Sequence, residues 1–226
     1  MKKNLIIVGA NGYLGKGIAG YFIKKNSLKL YLCDRNNIEY IRESKDINII
    51  KIGDLAKEEA VRELFSQITF HEDEKYFLYS TIGGFSSGKI EDLEYDNFVK
   101  IFELNFFSQF LIAKHFSKNC ANTQGGSLCF TSAYTALTPE KEKGAYGTSK
   151  AALNYFAGVL ANEGINKNLT VNVIVPYALD TSDNKVWIEN EANLISPSKI
   201  AETAEFLFES HPEVNGRLVK MPENIA

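Results

Sequence analysis

Four consecutive apolar residues, Leu5-Ile6-Ile7-Val8, run into Gly9-Ala10-Asn11-Gly12-Tyr13-Leu14-Gly15, and a helical pattern through Ile18, Ala19, Tyr21, Phe22 and Ile23 follows. An unbroken apolar strand is expected where a sheet is covered on both faces, and that is the situation of parallel sheets. A strand that turns at glycines directly into a helix is the opening half of a βαβ unit. Gly9 permits the tight turn, and small residues let the backbone approach a diphosphate at the helix N-terminus. Gly9, Asn11, Gly12, Tyr13, Leu14 and Gly15 are therefore candidate dinucleotide-binding residues. A glycine pattern alone is weak evidence; its place between strand and helix is what gives it meaning.

The rest of the chain repeats the alternation. Leu28 to Cys33 reads as a second strand ending at Asp34. An acidic residue at this distance after the glycines can hold the ribose hydroxyls of NAD(H). Asp34 could also cap a following helix together with Asn36, and Arg35 could receive a 2′-phosphate, so NAD(H) is favoured with NADP(H) left open. Ile47 to Ile52 is a third strand, ending at Gly53-Asp54-Leu55, where Asp54 is expected to cap the helix that runs through Phe65 and where an adenine ring could be flanked. Tyr76 to Tyr79 is a fourth strand, ending at Ser80-Thr81-Ile82-Gly83-Gly84. One long helix is expected from Tyr95 to Asn119, with Asn105 inside its Phe-rich apolar stretch. Leu128 to Thr131 leads to Ser132-Ala133, Thr170 to Val175 is closed by Pro176, and Tyr177 to Asn193 is polar and irregular. Ser196-Pro197 suits the start of a last helix, and Arg217 to Met221 closes the sheet. The expected class is α/β, a single-domain Rossmann-type doubly wound parallel sheet with helices on both faces, spanning residues 1–226.

The candidate chemistry lies in Gly144-Ala145-Tyr146-Gly147-Thr148-Ser149-Lys150, which opens an Ala- and Leu-rich helix. Tyr146 and Lys150 leave one helical face a turn apart. A free phenol titrates near pH ~10, and a neighbouring ammonium favours its ionised form. Such a tyrosine can give a proton to a carbonyl oxygen or take one from an alcohol. Composition bounds the rest. The net charge is −3 with the basic residues scattered, so no nucleic-acid footprint is seen. No apolar run reaches the roughly 18 to 20 residues that cross a membrane, and the run after Met1-Lys2-Lys3-Asn4 is too short for a signal peptide, so a cytoplasmic location is expected. Cys33, Cys120 and Cys129 have no paired spacing and read as small buried hydrophobes. His71, His115 and His211 are too dispersed for a metal cluster.

Taken together, the glycine turn, Asp34, Asp54-Leu55, Gly83, Asn105, the serine region after strand five, Tyr146 with Lys150, and Pro176 with Thr181 resemble the short-chain dehydrogenase/reductase family along nearly the whole chain. The resemblance implies Tyr146 as general acid/base and Lys150 as the residue that lowers its pKa and holds the nicotinamide ribose. It implies that Asn105 anchors a water in a proton relay and that Thr181 meets the nicotinamide amide. It also implies a small-molecule substrate and a homodimer or homotetramer built on the helices bearing Asn105 and Tyr146. Three features depart from the common pattern: the glycines read GxxGxxG, Ser80-Thr81-Ile82-Gly83 replaces Asn-Asn-Ala-Gly, and Pro176-Tyr177 replaces Pro-Gly. With Asp180 to Lys185, they resemble the dihydropteridine reductase branch. The family's serine lies thirteen residues before the tyrosine, which here is Ala133, one place after Ser132, so either Ser132 serves or the site has no serine. The expected activity is hydride transfer between a nicotinamide cofactor and a small carbonyl or dihydropterin-like substrate. A 3-oxoacyl-thioester or sugar-type ketone reductase, and a catalytically silent NAD(P)-binding regulator, are the alternatives.

Overall fold

The computed structural model describes residues 1–222. Seven parallel strands lie in the order β3-β2-β1-β4-β5-β6-β9. They are β1 (Lys3–Val8), β2 (Lys29–Asp34), β3 (Ile47–Lys51), β4 (Lys75–Ser80), β5 (Gly126–Thr131), β6 (Leu169–Pro176) and β9 (Leu218–Met221). The helices are α1 (Tyr13–Lys25), α2 (Glu58–Ser66), α3 (Tyr95–Phe102), α4 (Ser108–Cys120), α5 (Gly144–Gly164), α6 (Ser182–Lys185) and α7 (Pro197–Glu209). A two-stranded pair, β7 (Ala178–Leu179) with β8 (Leu194–Ile195), stands apart from the main sheet.

Alternation along β1 shows why the run Leu5 to Val8 is apolar without a break. Leu5 and Ile7 pack with α1 and α7 through Ile18, Phe22, Ile200 and Ala204, while Ile6 and Val8 face α2, α4 and α5 through Leu64, Phe116 and Leu153. All four strand residues are wholly buried, and each such side chain contributes about 1.5–3 kcal/mol relative to exposure. The chain winds outward from β1 to β3, then crosses to β4 on the other side of β1. That reversal opens a crevice at the carboxyl ends of β1 and β4, where open α/β sheets bind ligands. In register, Val8 pairs with both Cys33 and Ser80, so Gly9, Asp34 and Thr81 emerge level with one another.

Three expectations about helices are corrected. The segment from Tyr95 to Asn119 is not one regular helix: a π-helical turn, Glu103–Phe107, separates α3 from α4. Asp54 does not cap α2, whose N-cap position is Lys57; its Oδ1 instead accepts the Ala56 N–H at 3.1 Å. Between β2 and β3 there is no helix for Asp34 to cap. Ser196 does cap α7, accepting the Lys199 N–H, with Pro197 in the first turn. All three cysteines are free and buried, and burial pushes their thiols up. Among the described residues, no helix is long and apolar enough to cross a membrane and no cluster of ligating side chains could hold a metal.

Candidate active site

The glycine turn occupies the β1 side of the crevice. Gly9 has φ +86, and a Cβ there would lie 2.5 Å from Thr81 Oγ1. A Cβ on Gly15 would lie 2.1 Å from the Gly9 carbonyl oxygen, so only glycine lets α1 start this close to the turn. No side chain caps α1, which leaves its N-terminal dipole and N–H groups available to an anion. Asp34 is buried at the tip of β2, where its Oδ2 accepts the Asn11 N–H at 2.8 Å and its Oδ1 the Asn36 N–H at 2.9 Å. The carboxylate thus fixes the turn and retains lone pairs for further donors. Beside it, Arg35, Asp54, Leu55, Ile82, Lys100 and Leu104 help line a cavity of about 230 Å³.

On the other side, Lys150 and Asn105 converge on Gly83. A Cβ at Gly83 would lie 2.9 Å from Asn105 Oδ1 and 2.9 Å from Lys150 Nζ. Asn105 is the one buried residue of the π-helical turn. Its Oδ1 accepts the Gly84 N–H at 2.8 Å, and its Nδ2 donates to the Gly84 carbonyl at 2.9 Å and to Ser149 Oγ at 3.0 Å. Lys150 Nζ donates to the Thr131 carbonyl at 2.9 Å, and burial lowers its pKa to about 8. Tyr146 sits one turn before Lys150 with its ring edge-on to Phe85, centroids 5.1 Å apart. Burial, with a smaller contribution from the charge of Glu140, pushes the Tyr146 phenol up to about 12, while the Lys150 amine is held on the Thr131 carbonyl. A neutral phenol is the form able to donate a proton at neutral pH.

Ser132 and Thr181 stand on neighbouring loops of the same sheet edge. Ser132 is buried, and its Oγ has no hydrogen-bond partner among the described residues. Ala133 continues in extended conformation, φ −150 and ψ 154, so the two side chains point to opposite sides. Thr181 Oγ1 accepts the Asn184 N–H and caps α6, which leaves its hydroxyl proton to donate elsewhere. Tyr13 is a candidate from the sequence, but the backbone contact it makes is not foreseen there, and Tyr40, Thr81 and Ser149 are not singled out as site residues. The Tyr13 hydroxyl donates to the Asp180 carbonyl and ties the glycine turn to the 177–193 segment. Tyr40 donates to the Ala10 carbonyl at 2.9 Å, and Thr81 Oγ1 reaches the Val8 and Gly9 carbonyls at 3.0 Å. Each acts across the chain on a backbone oxygen, and such contacts leave no local pattern. Ser149 lay inside the motif already read, so its spacing from Tyr146 was the available signal.

A family model described as short chain dehydrogenase matches residues 3–192. A dihydropteridine reductase from Dictyostelium discoideum is 29% identical over 231 residues, covering 97% of this chain and 94% of its own. Among solved structures, ElxO with NADP bound superposes with a TM-score of 0.85 at 20% identity, covering 97% of both chains. A 3-ketoacyl-(acyl-carrier-protein) reductase from Brucella melitensis complexed with NADH gives a TM-score of 0.79 at 22% identity, covering 97% of this chain and 96% of that one. The last two likenesses are of fold, and the fold is the doubly wound sheet described above. The family match over most of the chain goes further: the protein belongs to the short-chain dehydrogenase family and is an NAD(P)-dependent oxidoreductase.

Proposed function

We propose that the protein is a reductase in which Tyr146 protonates a small carbonyl or dihydropterin-like substrate, with NAD(H) preferred over NADP(H). The observation that carries this reading is the convergence of Lys150 and Asn105 on Gly83, with a half-buried Tyr146, its phenol pushed up by desolvation, one helical turn from Lys150. The residues present fit a nicotinamide nucleotide. The turn has no room for a side chain at Gly9 or Gly15 and opens onto an uncapped helix, so it suits the diphosphate. Asp34 suits the adenosine ribose and discourages a 2′-phosphate, while Asp54 and Leu55 wall a slot of adenine character. Gly83, Lys150 and Thr181 serve the nicotinamide end. The bound nucleotide would supply the hydride.

What this chain supplies is the proton and its control. Tyr146 gives its phenolic proton to the oxygen or nitrogen that gains charge as the C=O or C=N bond is reduced. Lys150, still protonated below about pH 8, stabilises the phenolate that remains. Phe85 and the Tyr134–Tyr177 pair, with centroids 5.4 Å apart, give the site aromatic neighbours suited to a flat conjugated substrate. Ala133 provides no hydroxyl for a ketone oxygen. A simple-ketone reductase is the second reading, favoured by the unpartnered hydroxyl of Ser132. A homodimer or homotetramer in the cytoplasm fits the three free cysteines and an exposed apolar face on α4 and α5.

The test is NADH and NADPH oxidation against a quinonoid dihydropterin, simple ketones and acetoacetyl thioesters. Turnover with the dihydropterin and tighter binding of NADH are expected. Tyr146→Phe should lower turnover by a factor on the order of 10² or more, as for loss of a general acid, with NADH affinity kept. Ser132→Ala should change little. Equal losses from both substitutions would favour the ketone reductase. Tight cofactor binding without turnover on any substrate would leave a cofactor-binding regulator.

A further inference from the structure

Ser149 lies wholly buried between Tyr146 and Lys150. A helical serine that donates to the carbonyl three residues back is ordinary, and Ser149 Oγ does this to Tyr146 at 2.7 Å. The same oxygen also accepts one N–H of Asn105, whose other N–H and carbonyl oxygen both grip Gly84. Gly84 carries the next residue, Phe85, back onto the ring of Tyr146. The contacts form a closed circuit, Tyr146–Ser149–Asn105–Gly84–Phe85–Tyr146.

We propose that Ser149 is a positioning residue that fixes the separation between Tyr146 and the Gly83–Phe85 turn by joining the catalytic helix to Asn105. The proposal rests on the reading of Tyr146 as the proton donor. Asn105 has three polar bonds in this circuit, and only the one to Ser149 reaches α5. Without that acceptor, a buried N–H is left unpaired and the Asn105–Gly84 clamp can shift independently of Tyr146. The Phe85 edge that borders the phenol then no longer has a fixed place. The glycine turn and Asp34, which would hold the diphosphate and the adenosine ribose, lie outside this circuit.

The experiment compares full-length wild type, Ser149→Ala and Ser149→Cys, the cysteine being a weaker acceptor of similar size that serves if the alanine variant does not fold. Three quantities are measured: hydrogen exchange of the Gly84 amide against that of the core amide of Leu128, NADH affinity by fluorescence, and kcat and KM on the substrate that wild type reduces. Loss of one buried hydrogen bond should speed Gly84 exchange roughly fivefold to tenfold while Leu128 is unchanged. Turnover should fall by a similar factor, with NADH affinity and KM kept. Unchanged Gly84 exchange, or equal acceleration at Gly84 and Leu128, would overturn the proposal, because Ser149 would then serve only its own helix or general stability. Faster Gly84 exchange with unaltered kcat would overturn the link to Tyr146. If wild type reduces nothing, the functional reading fails, and the exchange measurement still decides whether Ser149 holds the turn.

Discussion

Lys150 is enclosed with its amine on the Thr131 carbonyl, and the enclosure lowers its pKa from 10.5 to about 8. Below about pH 8 both folded and unfolded chains carry the proton, and the fold bears the full cost of a buried ammonium. Between about pH 8 and 10.5 the fold has released a proton that the unfolded chain still binds, so unfolding free energy rises with pH in that window. Lys150→Met removes the titration. The stability of wild type relative to this variant should therefore rise with pH across the window, by at most about 1.4 kcal/mol per pH unit. Urea midpoints for the two proteins from pH 7 to 10 measure it, and a difference that stays flat would remove burial as the cause of the low pKa. The same enclosure marks the limit of what the sequence shows at this scale. Four-residue spacing places Tyr146 and Lys150 on one face, and that was legible; which way the ammonium points depends on Thr131, which only the assembled sheet brings near.

Elements are legible where their signals are local. Ser196-Pro197 marks the start of α7 because a cap and a pre-set φ act within one turn. The π-helical turn at Glu103–Phe107 left no such mark. Phe98, Phe102, Phe106 and Phe110 recur every fourth residue, a spacing that a straight α-helix and one with an inserted residue both tolerate. What settles the matter is Asn105, turned inward to the Gly84 backbone from an element distant in sequence. Contacts between α1 and α7 were likewise hidden. A Cβ on Gly17 would lie 2.2 Å from Pro197 Cβ and 3.0 Å from its Cγ, and a proline ring at a helix start has little freedom to move. Gly17→Ala removes a helix-interior glycine, which by itself would favour α1 by about 1 kcal/mol. Overpacking of this kind typically costs 1–3 kcal/mol, so a net loss of order 1 kcal/mol and a lower melting temperature are expected. A melting temperature at or above that of wild type would show that α1 and α7 separate without cost.

For the molecule as a whole, the alternation of strand and helix identified a parallel sheet. Strand order was not readable, because it is set by which buried faces meet rather than by any one segment. The same holds for the surface that remains open. Leu104, Phe107 and Phe110 are each 40–42% exposed on the π-helical turn and α4, and Tyr155 and Val159 are exposed on α5. Phe106 and Phe110 pack on Phe156, with centroids 5.9 and 5.8 Å apart, so the exposed apolar residues of the two elements flank one aromatic cluster. Exposed apolar residues gathered in this way fit an interaction surface, and a dyad through it would set the same patch of two copies together. A stable dimer of ordinary size buries about 1,600 Å² in all, so a charge placed near the middle should prevent it. Phe110→Glu combined with Tyr155→Glu is therefore expected to give a folded monomer by light scattering, and wild type a dimer or tetramer. Tyr146 and Lys150 stand on the first turns of α5, and α5 also carries Tyr155 and Val159. Turnover of the double variant should fall together with its assembly, while NADH affinity at the distant glycine turn is kept. A wild-type protein that remains monomeric at every concentration would show that this face serves only to cover the sheet.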